Sequence, residues 1–173
     1  MSLTIRPAMG TDIDATAAIY SHHVIHGLAS FETDPPDAAE MGRRWADVVA
    51  RGLPYLVACD ASGMVLGYAY AGPYRTRPAY HRTVENSVYL RPDVARRGIG
   101  LALLTALIEA CEARGCRQMV AVVGDSGNAG SISLHLRAGF RMVGTLEAVG
   151  FKHGRWVDTV PLQRAIGAGS GLP

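Results

Sequence analysis

The chain has 173 residues, and its 17 Lys and Arg against 15 Asp and Glu give a net charge of +2 with the histidines neutral. This length is typical of one domain that buries enough apolar surface to fold without a metal or disulfide. With 49% hydrophobic and 18% charged residues, the composition excludes a disordered chain and disfavours a nucleic-acid binder. The longest apolar stretch, residues 99–108, is much shorter than the roughly 18 residues of a membrane span, so we expect a soluble, intracellular protein.

The cysteines indicate core packing rather than chemistry. Cys59, Cys111 and Cys116 are odd in number and form no CxxC pair, which argues against a disulfide framework and against a zinc site. Cys111 lies in a helical pattern and Cys59 in a strand pattern, so buried thiols are favoured over a catalytic thiol.

The first third of the chain predicts one strand followed by two helices. Residues 3–6 have strand-like alternation, and a helix is expected over residues 12–27. A loop rich in acidic residues and proline then leads to a second helix, which begins after Asp37 and ends at Gly52.

The middle of the chain predicts a hairpin, a further strand and a long helix. Strands over residues 55–59 and 65–71 flank a turn at residues 60–63. The next strand covers residues 84–90, and the long helix covers residues 98–114.

The last third predicts a buried strand, a short helix and a closing pair of strands. These elements cover residues 119–123, 128–138, 140–146 and 156–162. We expect a single domain over residues 1–164 and a flexible tail over residues 165–173. The order of elements indicates a mixed α/β protein.

The sharpest signal is a glycine-containing helix start after the strand over residues 84–90. The segment reads Ala95-Arg96-Arg97-Gly98-Ile99-Gly100-Leu101. The first turn of a helix leaves backbone N–H groups without partners, and glycine lets an anion approach them, so this segment suits phosphate. Glycine at a helix start also occurs for steric reasons alone. Neither a third Rossmann glycine nor a Gly-Lys-Ser/Thr sequence is present, which implies a different phosphate-bearing cofactor.

This segment resembles the Gln/Arg-x-x-Gly-x-Gly/Ala motif of the GNAT acetyltransferase superfamily. Aligned on Gly98 and Gly100, the first motif position is Ala95, whereas the shifted register Arg97-x-x-Gly100-x-Ala102 matches literally. We prefer the first register because the loop binds phosphate mainly through backbone N–H groups. The resemblance extends to the segments 3–7 and 128–140.

The resemblance implies a fold, a cosubstrate and a set of binding residues. The fold is the GNAT fold, a central mixed twisted sheet of about seven strands flanked by four helices. The cosubstrate is acetyl-CoA, with no metal. The residues implied to bind it are Val88, Tyr89, Leu90, Arg96, Arg97, Gly98, Ile99, Gly100, Leu101 and Asn128.

Three further segments are similar to the phosphinothricin and methionine sulfoximine N-acetyltransferases within that superfamily. They cover residues 74–80, 83–90 and 152–158. The similarity implies transfer of an acetyl group to the α-amine of a small amino-acid analogue, in a ternary complex. It also implies a homodimer and a small-molecule amine as the partner, whereas the composition indicates a cytoplasmic location with no nucleic-acid or membrane partner.

Glu85 and His135 are the candidate catalytic residues. A carboxylate in a half-buried strand is costly unless it is solvated or used, so Glu85 is the candidate general base, directly or through water. An exposed strand-end glutamate is the alternative. His135 stands where many GNAT enzymes place a Tyr that protonates the coenzyme A thiolate, and imidazole can also do this. Simple packing of His135, and simple helix capping by Asn128, remain open.

Substrate-binding candidates come from two loops and from the strand that carries Glu85. Arg75 and Arg77 flank Thr76. A guanidinium group can bind both oxygens of a carboxylate or phosphinate at once, so these arginines suit an amino-acid analogue. A solvated basic loop is the alternative. The resemblance adds four more residues, namely Phe31, Glu32, Asn86 and Ser87.

Two other functions fit the same features. One is acetylation of a protein N-terminus or another amine. The other is a coenzyme A binding or sensing module without turnover, although the presence of both Glu85 and His135 argues against it.

Overall fold

The fold is built on one eight-stranded sheet with two helices on each face. The computed structural model describes residues 3–171. Its helices are α1 (Ile13–His26), α2 (Ala38–Ala50), α3 (Ile99–Glu112) and α4 (Ala129–Arg137). Its strands are β1 (Thr4–Pro7), β2 (Tyr55–Cys59), β3 (Val65–Pro73), β4 (Thr83–Leu90), β5 (Gln118–Gly124), β6 (Arg141–Met142), β7 (Leu146–Lys152) and β8 (Arg155–Ala165).

The strand order places the centre of the sheet between β4 and β5. The order is β1-β2-β3-β4-β5-β8-β6, and β7 pairs with β8. The β4–β5 pair is parallel, whereas the other described pairs are antiparallel. A parallel neighbour requires a crossover connection, which α3 supplies here. The predicted mixed α/β fold with four flanking helices is therefore confirmed.

Each face of the sheet has its own core. On one face, α1 and α2 cover a core that includes Val24, Met41 and Tyr68. On the other, α3 contributes a fully buried stripe at Leu103, Leu104 and Leu107, because these positions recur at helical spacing. All three cysteines are free and buried, as the patterns predicted. Within residues 3–171, no helix has the length and apolarity needed to cross a membrane.

The closing strands differ from the prediction. The expected strand over residues 140–146 is only Arg141–Met142, and an additional strand, β7, makes the sheet eight-stranded rather than about seven. A tight turn joins β7 to β8 at His153 and Gly154, which both have positive φ (51° and 73°). Two central residues with positive φ define a type I′ turn, and His-Gly is an uncommon sequence for it, so this hairpin was missed.

The flexible tail was expected to begin at residue 165, but the ordered core extends past this position. β8 runs to Ala165, and Ile166 is 2% exposed, with its N–H donating to the Arg117 carbonyl at 3.0 Å. The start of the segment 165–173 therefore belongs to the core.

Replacing Asp12 with Asn should destabilise the fold. Asp12 is 5% exposed and accepts hydrogen bonds from Arg6 at 2.6 and 2.8 Å and from the Met9 N–H at 2.8 Å. Because Arg6 would lose its counter-charge, we expect a loss of about 2–3 kcal/mol in urea unfolding at pH 7.

The same substitution should change the acid sensitivity. The hydrogen bonds from Arg6 lower the pKa of Asp12, so its stabilisation is present above the ordinary carboxyl pKa and is lost as pH falls through the lowered one. Asp12→Asn removes that pH-dependent component. Asp47→Asn, in an exposed pair with Arg51, is the control; an equal loss in both variants would contradict the argument.

Candidate active site

The central strands separate at one end of the sheet and leave a cavity. β4 and β5 pair from Thr83 to Asn86 and then diverge, although β4 stays paired with β3 as far as Leu90. The cavity holds about 310 Å³. Its lining comes from the α1–α2 loop, β4, β5, α4 and β8: Ala29, Ser30, Phe31, Glu85, Asn86, Ser87, Val88, Tyr89, Ala121, Val122, Val123, Gly124, Asn128, Ser131, His135 and Thr159.

Backbone groups of β4 point into this opening. Tyr74 N–H donates to the Thr83 carbonyl and Arg91 N–H donates to the Leu66 carbonyl, so odd-numbered residues of this segment bond toward β3. The N–H and C=O groups of Val88 and Leu90 are therefore directed away from β3. Since β5 has diverged there, the Val88 groups and the Leu90 N–H are placed to bond an extended ligand, whereas the Leu90 carbonyl accepts from His23 Nε2 at 2.8 Å.

Alternation along β4 gives the opening two chemically different sides. Tyr89 packs against Tyr20 of α1, with ring centroids 5.0 Å apart, so odd-numbered side chains face α1 and α2. Glu85 lies on that side. Asn86 contacts His135 of α4 and therefore lies on the opposite side.

The start of α3 lies beyond the end of β4 and can hold phosphate. Gly98 precedes α3 in a left-handed conformation (φ 79°), and no side chain caps the helix there. The first-turn N–H groups are therefore available to an anion, and Arg96 and Arg97 are exposed beside them. Together with the free β4 backbone, this arrangement fits the extended pantetheine arm and pyrophosphate of coenzyme A.

Glu85 is half-buried in the cavity wall. It lies opposite Gly72 of β3 and Val120 of β5. Burial raises the pKa of the Glu85 carboxyl, and the positive charge of Arg75 partly opposes this rise. A raised pKa makes the carboxylate a stronger base.

His135 is held between two acceptors. Its Nδ1 lies 2.8 Å from the Ser131 carbonyl and its Nε2 lies 3.0 Å from Asn86 Oδ1, while Asn86 Nδ2 donates to the Val120 carbonyl. Only an imidazolium donates to both acceptors at once. Burial nevertheless lowers the pKa of His135, and the bond to Ser131 opposes this. The two acceptors therefore favour the protonated form of His135, whereas its burial disfavours the positive charge.

The α1–α2 loop lines the cavity and is held by the β7–β8 hairpin. The buried Lys152 Nζ donates to the Ser30 carbonyl at 2.6 Å. The Phe31 ring packs on Gly150, where a Cβ would lie only 2.2 Å from the ring. The loop is thus positioned by residues that lie about 120 positions later in the chain.

Two of the expected substrate-binding residues are engaged elsewhere. Glu32 accepts from Tyr20 at 2.9 Å and from Arg44 at 2.6 Å, and it is not part of the cavity lining. Asn86 is 6% exposed, and its side chain bonds to the Val120 carbonyl and to His135. Glu32 thereby links the loop to α1 and α2, and Asn86 contacts the His135 imidazole.

Of the other residues expected to bind substrate or cosubstrate, some line the cavity and others lie outside it. Phe31, Glu85, Ser87 and Asn128 line the cavity. Asn128 also caps α4, its Oδ1 accepting from the Ser131 N–H at 3.1 Å. The segment from Arg75 to Arg77 lies on the exposed β3–β4 loop outside the lining, with the Arg75 guanidinium 4.4 Å from the Tyr74 ring centroid.

Several lining residues were missed from the sequence. The end of β5, from Val122 to Gly124, forms one wall. It could have been found, because parallel strands joined by a crossover helix end at the same edge of the sheet. Ser30 and Thr159 also line the cavity and carry no local signal. Among residues 3–171 there is no cluster of His, Cys, Asp or Glu that could hold a metal.

Comparisons with known proteins agree with this geometry. Residues 18–140 match the model of the acetyltransferase (GNAT) family. The phosphinothricin N-acetyltransferase of Alcaligenes faecalis is 52% identical over 166 residues, which are 96% of this chain and 84% of the relative. The L-methionine sulfoximine/L-methionine sulfone acetyltransferase of Pseudomonas aeruginosa is 45% identical over 164 residues, 94% of each chain.

A solved structure shows the same fold with the cosubstrate bound. It is a phosphinothricin acetyltransferase of Sinorhizobium meliloti in complex with acetyl-CoA, 44% identical, with a TM-score of 0.96 over 100% of this chain and 93% of the other. The fold and the cosubstrate expected from the sequence are therefore confirmed.

Proposed function

The chain belongs to the acetyltransferase (GNAT) family, and we propose that it acetylates the α-amine of a small amino-acid analogue of the phosphinothricin, methionine sulfoximine or methionine sulfone type. It is an N-acetyltransferase that uses acetyl-CoA. The observation that carries the substrate proposal is the acceptor side of this cavity of about 310 Å³, where Glu85 and the α1–α2 loop, held in place by the β7–β8 hairpin, line the same space. A pocket of this kind suits a small amine better than a peptide.

The proposed residues divide the reaction between the two sides of the opening. Acetyl-CoA supplies an activated thioester when it is bound. Glu85 takes the proton that the acceptor amine loses as its nitrogen forms the new amide bond. The Val88 N–H donates to the acetyl oxygen, and His135 gives a proton to the sulfur as the carbon–sulfur bond breaks.

The residues that bind acetyl-CoA and the acceptor are assigned from their positions around the cavity. We propose that the first-turn N–H groups of α3, with Arg96 and Arg97, hold the pyrophosphate, and that Val88 to Leu90 hold the pantetheine arm. Arg75 lies close enough to Glu85 to influence its pKa, which supports a role for Arg75 and Arg77 in binding the anionic end of the acceptor.

The acceptor class is tested by measuring thiol release from acetyl-CoA against a panel. The panel contains methionine sulfoximine, methionine sulfone, phosphinothricin, ordinary amino acids and short peptides with free N-termini. We expect selective turnover of the first three. Turnover of peptides alone would replace the proposal with N-terminal acetylation, and protection from thermal unfolding by acetyl-CoA without any turnover would indicate a binding module.

We also propose that the protein is a homodimer in the cytoplasm. Exposed apolar side chains lie on β6, β7, β8 and the segment between β6 and β7: Met142, Val143, Leu146, Val149, Phe151 and Trp156. Phe151 and Trp156 are cross-strand partners, 59% and 65% exposed. Exposed apolar surface of this kind typically marks an interaction site.

The three free thiols support the proposed cytoplasmic location, because the cytoplasm is a reducing compartment.

Trp156→Glu should therefore dissociate the dimer. A buried, unpaired carboxylate is strongly unfavourable at an interface, so we expect a monomer by light scattering after size-exclusion chromatography. Val49→Glu, which places a charge at an exposed position of α2, is the control. A wild-type protein that is monomeric at every concentration would refute the dimer.

A further inference from the structure

At the end of β4, the Leu90 carbonyl has no partner on the described neighbouring strands. The Leu90 carbonyl is directed away from β3, because the odd-numbered residues bond to that strand. In an unsplayed parallel sheet a β5 amide would donate to it. β5 has diverged by this point, since the described pairing ends at Asn86 and Ala121.

A side chain of α1 supplies the hydrogen-bond donor that β5 does not provide at this point. His23 Nε2–H donates to the Leu90 carbonyl at 2.8 Å. The imidazole lies against Tyr89, with ring centroids 5.5 Å apart, and meets His22 edge-on at 5.6 Å. These contacts fix the orientation of the ring, and the bond to a carbonyl fixes the proton on Nε2.

Leu90 in turn is packed between two glycines. Its side chain approaches the position of a Cβ on Gly67 to 2.4 Å and of a Cβ on Gly100 to 3.4 Å. Gly100 is in the first turn of α3, where the pyrophosphate is proposed to bind. The position of Leu90 is therefore linked to both the pantetheine-binding backbone and the phosphate-binding helix start.

We propose that His23 is a positioning residue for acetyl-CoA, which holds the end of β4 in its splayed position through the Leu90 carbonyl. Without the donor, that carbonyl keeps no described partner, and the end of β4 can shift relative to α3. The inference concerns cosubstrate binding and does not depend on which acceptor is used.

The test measures coenzyme A binding by calorimetry in the absence of an acceptor, together with steady-state kinetics. His23→Leu removes the donor, and we expect the Kd for coenzyme A and the KM for acetyl-CoA to rise about 3- to 10-fold, the range that one hydrogen bond supplies. The kcat and the acceptor KM should stay within about twofold of wild type. His23→Gln keeps an N–H donor and should recover most of the affinity.

The matched control is His26→Leu, which changes an exposed histidine one turn further along α1. It should bind coenzyme A like the wild type. Equal affinity in His23→Leu and wild type, or equal impairment of His23→Leu and His23→Gln, would overturn the proposal. If His23→Leu does not fold, His23→Asn takes its place, because its amide is too short to reach the Leu90 carbonyl.

Discussion

Replacing Glu85 with Gln should lower kcat by about 10²- to 10³-fold near neutral pH, the range expected for loss of a general base. The amide of glutamine has nearly the same size and keeps the hydrogen-bonding ability of the side chain, but it cannot accept a proton. Coenzyme A affinity should not change, because Glu85 faces the α1 and α2 side of β4 while the cosubstrate residues lie on the strand end and on α3. Thiol release at saturating acetyl-CoA measures the effect.

The pH dependence of the wild type should identify the same group. Burial raises the pKa of Glu85, and only the deprotonated form accepts a proton. The rate should therefore fall as pH decreases through this raised pKa, above the value of about 4.3 that is usual for glutamate. Arg75→Ala removes the charge that opposes the rise and should move this acid limb to higher pH.

The control for Glu85→Gln is Glu147→Gln, which neutralises an exposed glutamate on β7. It should retain full kcat. A Glu85→Gln enzyme that keeps the wild-type kcat and its acid limb would exclude Glu85 as the base.

Local sequence predicted the half of the site that lies within a few consecutive elements. The strand containing Val88, the proline break and the glycines before α3 are adjacent in the chain, so the phosphate-binding geometry follows from strand and helix-start rules. Parallel pairing of β4 and β5 also follows from the long crossover helix between them. What these rules cannot predict is where the strands stop pairing, since that depends on contacts made by other elements.

The other half of the site is assembled by distant contacts. Ser30 is held by Lys152, and Phe31 by Gly150, across more than a hundred residues. Glu32 was expected to bind substrate, and the fold brings Tyr20 and Arg44 within hydrogen-bonding distance of it, contacts that link the loop to α1 and α2. No local pattern distinguishes a glutamate that binds a ligand from one that binds a neighbouring helix.

His135 illustrates the same limit. Its place in the α4 pattern was correct, and the structure confirms that it borders the cavity. Its two acceptors, Asn86 and the Ser131 carbonyl, come from different elements. Whether the imidazole carries a proton depends on the balance between these acceptors and burial, which only the assembled site defines.

Gly150→Ala should reduce acceptor turnover without affecting the cosubstrate. The new Cβ would lie 2.2, 2.5 and 2.9 Å from three atoms of the Phe31 ring, so the ring must leave its present position. Phe31 is a flexible side chain on a loop, and its displacement should therefore be tolerated by the fold. Because it lines the acceptor side of the cavity, we expect kcat/KM for the acceptor to fall about 10- to 100-fold.

Gly144→Ala is the matched control, since a Cβ at that position meets no atom within 4 Å. It lies between β6 and β7, close in sequence to Gly150, and should leave both substrates unaffected. The Kd for coenzyme A should be unchanged in both variants, because Phe31 lies on the α1–α2 loop, whereas the groups proposed to hold coenzyme A lie at the end of β4 and the start of α3. A Gly150→Ala enzyme with an unchanged acceptor kcat/KM would show that Phe31 forms no part of the acceptor pocket. Weakened coenzyme A binding in the same variant would instead show that the loop supports the whole opening between β4 and β5.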